Sequence, residues 1–381
     1  MMRIGVVTSS YPLSPDDTVT AGVFVRDVAR EMVNLGHTVH VITPHKRGAV
    51  VLDDAVHVQF IPWWGGEKDL ASASMRNPLT AARYATLVAS GLIRTPRYAR
   101  SHQLDALLAM WAIPSGLFAW SAWMRWGIPY GVWALGSDIW ARQKYPFGDT
   151  VVRRVLRDAA FCFADGVELA RCVAELAGGP CDFVPSVRRL PLHAKKEVIL
   201  ATGAPHFLFI GRYERNKGPD VLVEAMRQFI DGGHKAYLHM FGVGSLKPLL
   251  RQRIAGYEPY ISLGGFADPS TVVSYMQRCD WLIIPSRIES IPLILSDALQ
   301  MRLPVVATDV GDMGELVTQY GFGRAVPPES PEALAAAMAW AVEHPKAAFE
   351  DAIVIAADRF DLTQSTRRCV ESLAKAAGRE A

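Results

Sequence analysis

The sequence predicts an α/β protein made of two consecutive parallel sheets, each flanked by helices. Three observations carry this reading. Short apolar runs dense in Val, Ile and aromatic residues alternate with longer amphipathic segments, and runs apolar on both faces suit parallel strands covered on both sides. The rhythm breaks once, between Pro185 and His206, and then restarts. The chain has 381 residues, 50% of them hydrophobic, enough for two cores at roughly 100–200 residues per domain.

In the first half the strands are read at "RIGVVTSS", "TVHVITP", "VHVQFIP", "ALLAMWA", "YGVWALGSD" and "AAFCFAD". All but "ALLAMWA" end in Pro, Ser or Asp, among the residues that stop strands and open loops. Between the first two lies "GVFVRDVAREMVNLGH". Val25, Val28, Ala29 and Met32 recur there at helical spacing, and Gly36 is a C-terminal stop. The stretch Pro185–His206 mixes Pro, Gly and charge and is read as the linker. Strands then return at "HFLFIG", "AYLHMFG", "YISLGGF", "DWLIIPS" and "LPVVATDVG", with helices at "DVLVEAMRQFI" and "STVVSYMQRC". The tail after Phe360 is amphipathic and read as helix.

Composition narrows the function. Forty basic side chains stand against 38 acidic ones, a net of +2. Nucleic-acid proteins as a class carry a larger basic excess. The five cysteines form no CxxC pair, which argues against both a metal site and a disulfide framework. Buried thiols in a reducing compartment are the simple account, so a cytoplasmic protein is expected. The apolar run at the N-terminus is too short for a signal-peptide core. No stretch approaches 18 uncharged apolar residues, so no membrane span is expected.

Ligands of open parallel sheets bind beyond the carboxyl ends of the strands, which directs attention to the loops there. "GRYERNKG" (Gly211–Gly218) follows one strand, with Arg212 and Lys217 as its candidate inward cations and Pro219 at a helix start. Cations beside a helix N-terminus make an anion site; the alternative is a solvated charged loop. "FGVGSLKPLL" has Lys247 where a dinucleotide fingerprint needs its third glycine, and reads as a tight turn. "RIESIPLILSDALQMRLPVVATDVG" sets Glu289 and Asp297 in an apolar segment. Ser290 is read as the cap of a helix beginning at Ile291 or Pro292, with Asp297 in its second turn. No cation lies three or four positions from Asp297, so a buried carboxylate there needs donors from elsewhere, such as sugar hydroxyls. The alternatives are a helix-dipole role for Glu289 and an exposed Asp297.

Together, "GRYERNKG" and "PSRIESIPLILSDALQMRLPVVATDVGDMGEL" resemble the retaining GT-B glycosyltransferases, specifically glycosyltransferase family 4. The resemblance spans most of the chain and is strongest from Gly211 to Glu315. It implies two Rossmann-like parallel-sheet domains facing across a cleft. Expected are an acceptor domain at residues 1–190, a sugar-nucleotide domain at 191–357, and a helix at 358–381 packing back on the first. It implies that Arg212 and Lys217 hold the donor diphosphate, that Glu289 contacts the transferred sugar, and that the N–H groups of Ser290 and Ile291 lie near sugar and phosphate. Asp297 takes the place of a second glutamate near the ribose, one methylene shorter. Gly265 and Phe266 resemble the turn that frames the nucleobase. In the first half, Gly22 would approach donor phosphate or acceptor, although only Ala21-Gly22 stands where a glycine pair is usual. "WALGSD" resembles an acceptor-side element in which His is usual where this chain has Leu135. That leaves Asp138 as the catalytic-side polar group, or as a simple helix cap.

The implied activity is transfer of a sugar from a nucleoside-diphosphate sugar, with retention and without a metal or other cofactor. Asp16-Asp17 has no supporting ligands for a metal. The acceptor is expected to be a glycan or a lipid-linked molecule. Ser74–His102 interleaves Arg83, Arg94, Arg97 and Arg100 with apolar residues, and Trp120, Trp123 and Trp126 follow. Peripheral contact with anionic membrane is one reading of these, and helices packed on the sheet the other. Two further readings keep the fold: a non-catalytic sugar-nucleotide or glycan binder, and a sugar-nucleotide epimerase.

Overall fold

Two sheets organise the chain, each all-parallel among the described residues. The computed structural model describes every residue except 13, 15–16, 18–21, 50–54, 67–76, 145–146, 192–197 and 380–381. The expectations attached to Asp16, Ala21, the start of the basic stretch (74–76) and the middle of the linker lie outside the described residues.

The first sheet contains β1 (Arg3–Thr8), β2 (Thr38–Pro44), β3 (His57–Ile61), β4 (Ala106–Met110), β5 (Tyr130–Ala134), β6 (Phe161–Ala164) and β7 (Cys181–Phe183), in the order β3-β2-β1-β4-β5-β6-β7. The second contains β8 (His206–Ile210), β9 (Tyr237–Phe241), β10 (Ile261–Leu263), β11 (Trp281–Ile284), β12 (Val305–Thr308) and β13 (Gly323–Val326), in the order β10-β9-β8-β11-β12-β13. The central strands are buried throughout, β4, β5, β11 and β12 without exception. Uninterrupted apolar runs therefore fall in the middle of each sheet. The two strands that sequence reasoning missed, β7 and β13, are edge strands of three and four residues. Neither has an apolar run: Asp182 and Arg324 sit inside them.

Helix α1 (Val23–Asn34) buries Val25, Val28, Ala29 and Met32, and Gly36 follows its cap with φ +88. Helix α2 (Pro78–Ser101) is opened by Asn77, whose side chain accepts the N–H of Leu79.

The chain divides into a unit of Met1–Arg188 with Leu362–Ala381 and a unit of Arg189–Asp361. The expected divisions were 190/191 and 357/358. The closing helix, Leu362–Ala376, belongs to the first unit. It buries Cys369, Val370, Leu373 and Ala374 there, and Thr363 donates to Glu31 on α1 at 2.6 Å. No helix of the described residues is long and apolar enough to cross a membrane. Among those residues no cluster of His, Cys, Asp and Glu is arranged to hold a metal ion.

Candidate active site

In both sheets the strand order reverses at one pair of neighbours: β1 beside β4, and β8 beside β11. The crevice outside such a switch point is where open α/β sheets bind ligands. In the second unit the two loops meeting there are 211–218, after β8, and 285–292, after β11. These are the two segments that the sequence singled out, and Lys217 and Glu289 within them are 72 residues apart.

Several contacts lock the loops together. Gly218 has φ +64, and a Cβ placed on it would lie 1.9 Å from the Pro285 carbonyl oxygen. The Asn216 carbonyl accepts the N–H of Arg287 at 2.8 Å. The Arg287 guanidinium donates to the Arg215 carbonyl at 2.7 Å and to both oxygens of Asp220 at 2.8 and 2.9 Å. Such a two-pronged pairing fixes orientation as well as distance. Burial pushes the Asp220 carboxyl up, but Arg287 outweighs it and holds the group below the usual carboxylate range. Arg287 also reaches Glu329 at 2.9 Å. Behind the second loop, Gly311 (φ +55) leaves room for the Glu289 carbonyl, which a Cβ would approach to 2.2 Å.

On this frame the Lys217 ammonium and the Glu289 carboxylate form an ion pair, their side chains 20% and 17% exposed. The sequence expectation brought these two groups together, and the geometry does so. Arg212 is exposed on the same loop and makes no hydrogen bond or ion pair among the described residues. The helix Pro219–Asp231 begins directly after, with proline in its first turn.

Ser290 is not the cap expected. The helix begins at Leu293, with Pro292 as N-cap at φ −74 and ψ 142. The residue before a proline is driven away from helical backbone, so Ile291 cannot open the helix. The Ser290 hydroxyl is left buried without a hydrogen-bond partner. The N–H groups of Ser290 and Ile291 donate to no backbone carbonyl among the described residues. Asp297, expected near the ribose, is 0% exposed in the third position before the end of that helix.

Gly265 and Phe266 follow β10. The Gly265 carbonyl accepts the Gly242 N–H at 2.8 Å, and Phe266 stands 46% exposed. Buried Tyr213 donates to the Met240 carbonyl at 2.9 Å, which ties the β8 loop to β9. Gly242 serves close approach: a Cβ there would lie 2.0 Å from the Gly211 carbonyl oxygen. Sequence reasoning missed Tyr213, Asp220 and Arg287. Only Asp220, an acid in the first turn of a helix, carried a local signal.

At the first switch point, Gly22 opens α1 so close to the β1 loop that a Cβ would meet the Ser10 carbonyl oxygen at 2.4 Å. Trp111, just after β4, holds φ +74, a left-handed backbone that costs a bulky residue about 1–3 kcal/mol. Asp138 bonds to backbone in this structure. It is 4% exposed, and its two oxygens accept the N–H groups of Ala112 (2.5 Å) and Leu135 (3.2 Å). The carboxylate thus ties the loop after β5 to the loop after β4, with both oxygens turned to backbone. Burial pushes its pKa up to about 6 despite those amides. A raised carboxyl favours folding while protonated, and that benefit fades as pH rises from about 4 through about 6. Asp138→Asn avoids burying the charge but sets an amide NH2 against a backbone N–H, a loss of about 1–3 kcal/mol. The stability gap between wild type and variant, measured by urea denaturation, is therefore expected to narrow from pH 4 to pH 7. A gap that widens would mean that the amide bonds outweigh burial.

Comparison with known proteins agrees with this fold. The family model described as Glycosyl transferase 4-like domain matches residues 20–185, and that described as Glycosyl transferases group 1 matches residues 204–344. TuaC of Bacillus subtilis (strain 168), a glycosyltransferase named for teichuronic acid biosynthesis, is 26% identical over 361 residues, 88% of each chain. The D-inositol 3-phosphate glycosyltransferase 2 of Catenulispora acidiphila is 26% identical over 377 residues, covering 88% of this chain and 85% of the relative. Among solved structures, Anabaena Alr3699/HepE in complex with UDP shares the fold with a TM-score of 0.71 at 17% identity, over 98% of this chain and 100% of that one. With a family domain matched on each sheet and whole-length relatives that are glycosyltransferases, the chain belongs to the GT-B glycosyltransferases of the family 4 kind.

Proposed function

We propose that the enzyme transfers a sugar from a nucleoside-diphosphate sugar to a glycan or lipid-linked acceptor, retaining configuration and using no metal. The observation that carries this is the Lys217–Glu289 pair at the β8/β11 switch point, with unpaired Arg212 on the same loop. Breaking the donor bond puts negative charge on the diphosphate and positive charge on the sugar ring. Lys217, Arg212 and the N-terminus of the helix Pro219–Asp231 stabilise the first, fixed in place before the reaction. An arriving diphosphate competes with Glu289 for Lys217. Glu289 is then released to accept a sugar hydroxyl, while the N–H groups of Ser290 and Ile291 and the orphan Ser290 hydroxyl supply donors. Gly265 and Phe266 frame the base in this reading. Engaging Asp297 with the ribose requires the helix Leu293–Gln300 to uncover it. Retention rests on the family resemblance.

HepE's complex with UDP supports the donor class, and TuaC's name supports a role in polysaccharide or glycoconjugate synthesis. The proposed setting is cytoplasmic, with the acceptor held by the first unit, Gly22 included. A thermal-shift screen against UDP-, GDP- and ADP-sugars, with and without EDTA, tests the reading. One nucleotide class should raise Tm equally in both, and the anomeric configuration of the product should match the donor's by NMR. No shift with any of them, or a shift abolished by EDTA, would count against it.

A further inference from the structure

The first unit contains a cavity of about 550 Å³ between α2 and strands β2 and β3. Its strand side is formed by Ile42, Gln59 and Ile61, the two isoleucines each 1% exposed as residues. Its rim is basic, formed by Arg94 and Arg97 on α2 together with Tyr98. Ile93, also on the rim, leaves 46% of its surface in solvent.

Among the described residues, no ion pair or hydrogen bond engages the two arginines at this rim. Residues 78–101 include Arg83, Arg94, Arg97 and Arg100 and not one acid. Arg100 is occupied by the Trp126 ring, 4.3 Å from its centroid, and Arg83 lies over Trp64. Arg94 and Arg97 are exposed and have neither ion pair nor hydrogen bond among the described residues. Beside them, the Tyr98 hydroxyl is held by His40 at 2.9 Å, and the rings of His57 and His102 pack on His40. Burial, then these histidines and Arg3, depress His40 to about 4.

Arg94 and Arg97 stand three residues apart on one helix, so their Cβ atoms are neighbours on its surface, about 5–6 Å apart. Two adjacent guanidinium forks suit the oxygens of a single phosphate. The volume suits a ligand of ordinary small-molecule size, with an apolar body and a few polar anchors. We propose that this cavity binds a phosphate-bearing amphiphile, its phosphate on Arg94 and Arg97 and its alkyl part on Ile42, Ile61 and Ile93. This site is built from residues of the first unit alone and does not depend on the assignment of the donor loops.

The test uses the full chain, wild type and Arg94→Gln/Arg97→Gln, with three probes. These are dodecyl phosphate and inorganic phosphate by calorimetry, and phosphatidylglycerol–phosphatidylcholine vesicles by flotation. Wild type is expected to bind dodecyl phosphate or the vesicles, more weakly as salt rises, and inorganic phosphate far less tightly. The double variant should lose about tenfold or more, since two charge-assisted bonds are removed, with Tm and sugar-nucleotide hydrolysis unchanged. Binding to vesicles alone identifies a headgroup in a bilayer; binding to both identifies a monomeric ligand or a headgroup that can leave it. The proposal is overturned if neither amphiphile binds, if the double variant binds as wild type does, or if inorganic phosphate binds as tightly as dodecyl phosphate.

Discussion

Lys217→Ala is expected to lower kcat/KM for sugar transfer by about 10²–10³-fold, mostly through kcat, because a preorganised charge at the leaving group acts chiefly in the transition state. Arg212 and the helix N-terminus remain, which is why the loss should not be total. Stability should fall much less. The Lys217–Glu289 pair is about a fifth exposed, and solvent-screened pairs contribute about 0–1 kcal/mol. Glu289→Gln separates the two partners. It keeps a hydrogen-bonding group of the same size but removes the charge, so it should weaken contact with the sugar while leaving Lys217 free for the diphosphate. If both residues act only to hold the loops together, each single variant and the double variant would show the same modest loss. If they act on different parts of the donor, the double variant loses more than either single one. A Lys217→Ala enzyme with unchanged kcat/KM and a lowered Tm would remove Lys217 from the chemistry.

Why the sequence revealed this pair and concealed its support is a matter of range. Lys217 and Glu289 sit in loops that end apolar strands, and the position of such loops at one end of a parallel sheet follows from strand direction alone. That β8 and β11 are neighbours follows from the switch in strand order, which no local pattern encodes. Nothing local marks Arg287. Its role depends on Asp220, which lies 67 residues earlier and meets it only once the sheet has formed. Ser290 has the side chain for a cap, but the backbone restriction that Pro292 imposes on Ile291 prevails, and the helix starts at Leu293. Asp138 was legible as a conspicuous polar residue at a strand end. What it faces, the amide of Ala112 on the neighbouring β4 loop, was not, because that partner belongs to another strand. The edge strands β7 and β13 escaped for the opposite reason: half exposed and short, they need no apolar run.

Gly218→Ala is expected to cost the enzyme both stability and turnover, and the comparison with Gly321→Ala shows which physical term is responsible. Both glycines have nearly the same left-handed backbone, φ +64 and φ +69. Both end or precede a helix in the second unit, Gly321 as the C-cap of Met313–Tyr320 and Gly218 as the N-cap of Pro219–Asp231. Their surroundings differ. A Cβ on Gly321 meets nothing within 4 Å, whereas one on Gly218 would lie 1.9 Å from the Pro285 carbonyl oxygen. Gly321→Ala thus pays only the left-handed backbone strain of about 1–2 kcal/mol. Gly218→Ala carries that strain and must also push apart two backbone segments. Overpacking of this kind adds about 1–3 kcal/mol. The segment displaced is the one that leads into Glu289, so the carboxylate moves relative to Lys217, and a misplacement near 1 Å costs about 10²-fold in rate. Urea denaturation and steady-state kinetics on the two variants separate these contributions. Equal stability losses would mean that the close approach of the two loops is absent in solution. A larger loss at Gly218 with kcat intact would mean that the loops meet there without setting the geometry of the reaction.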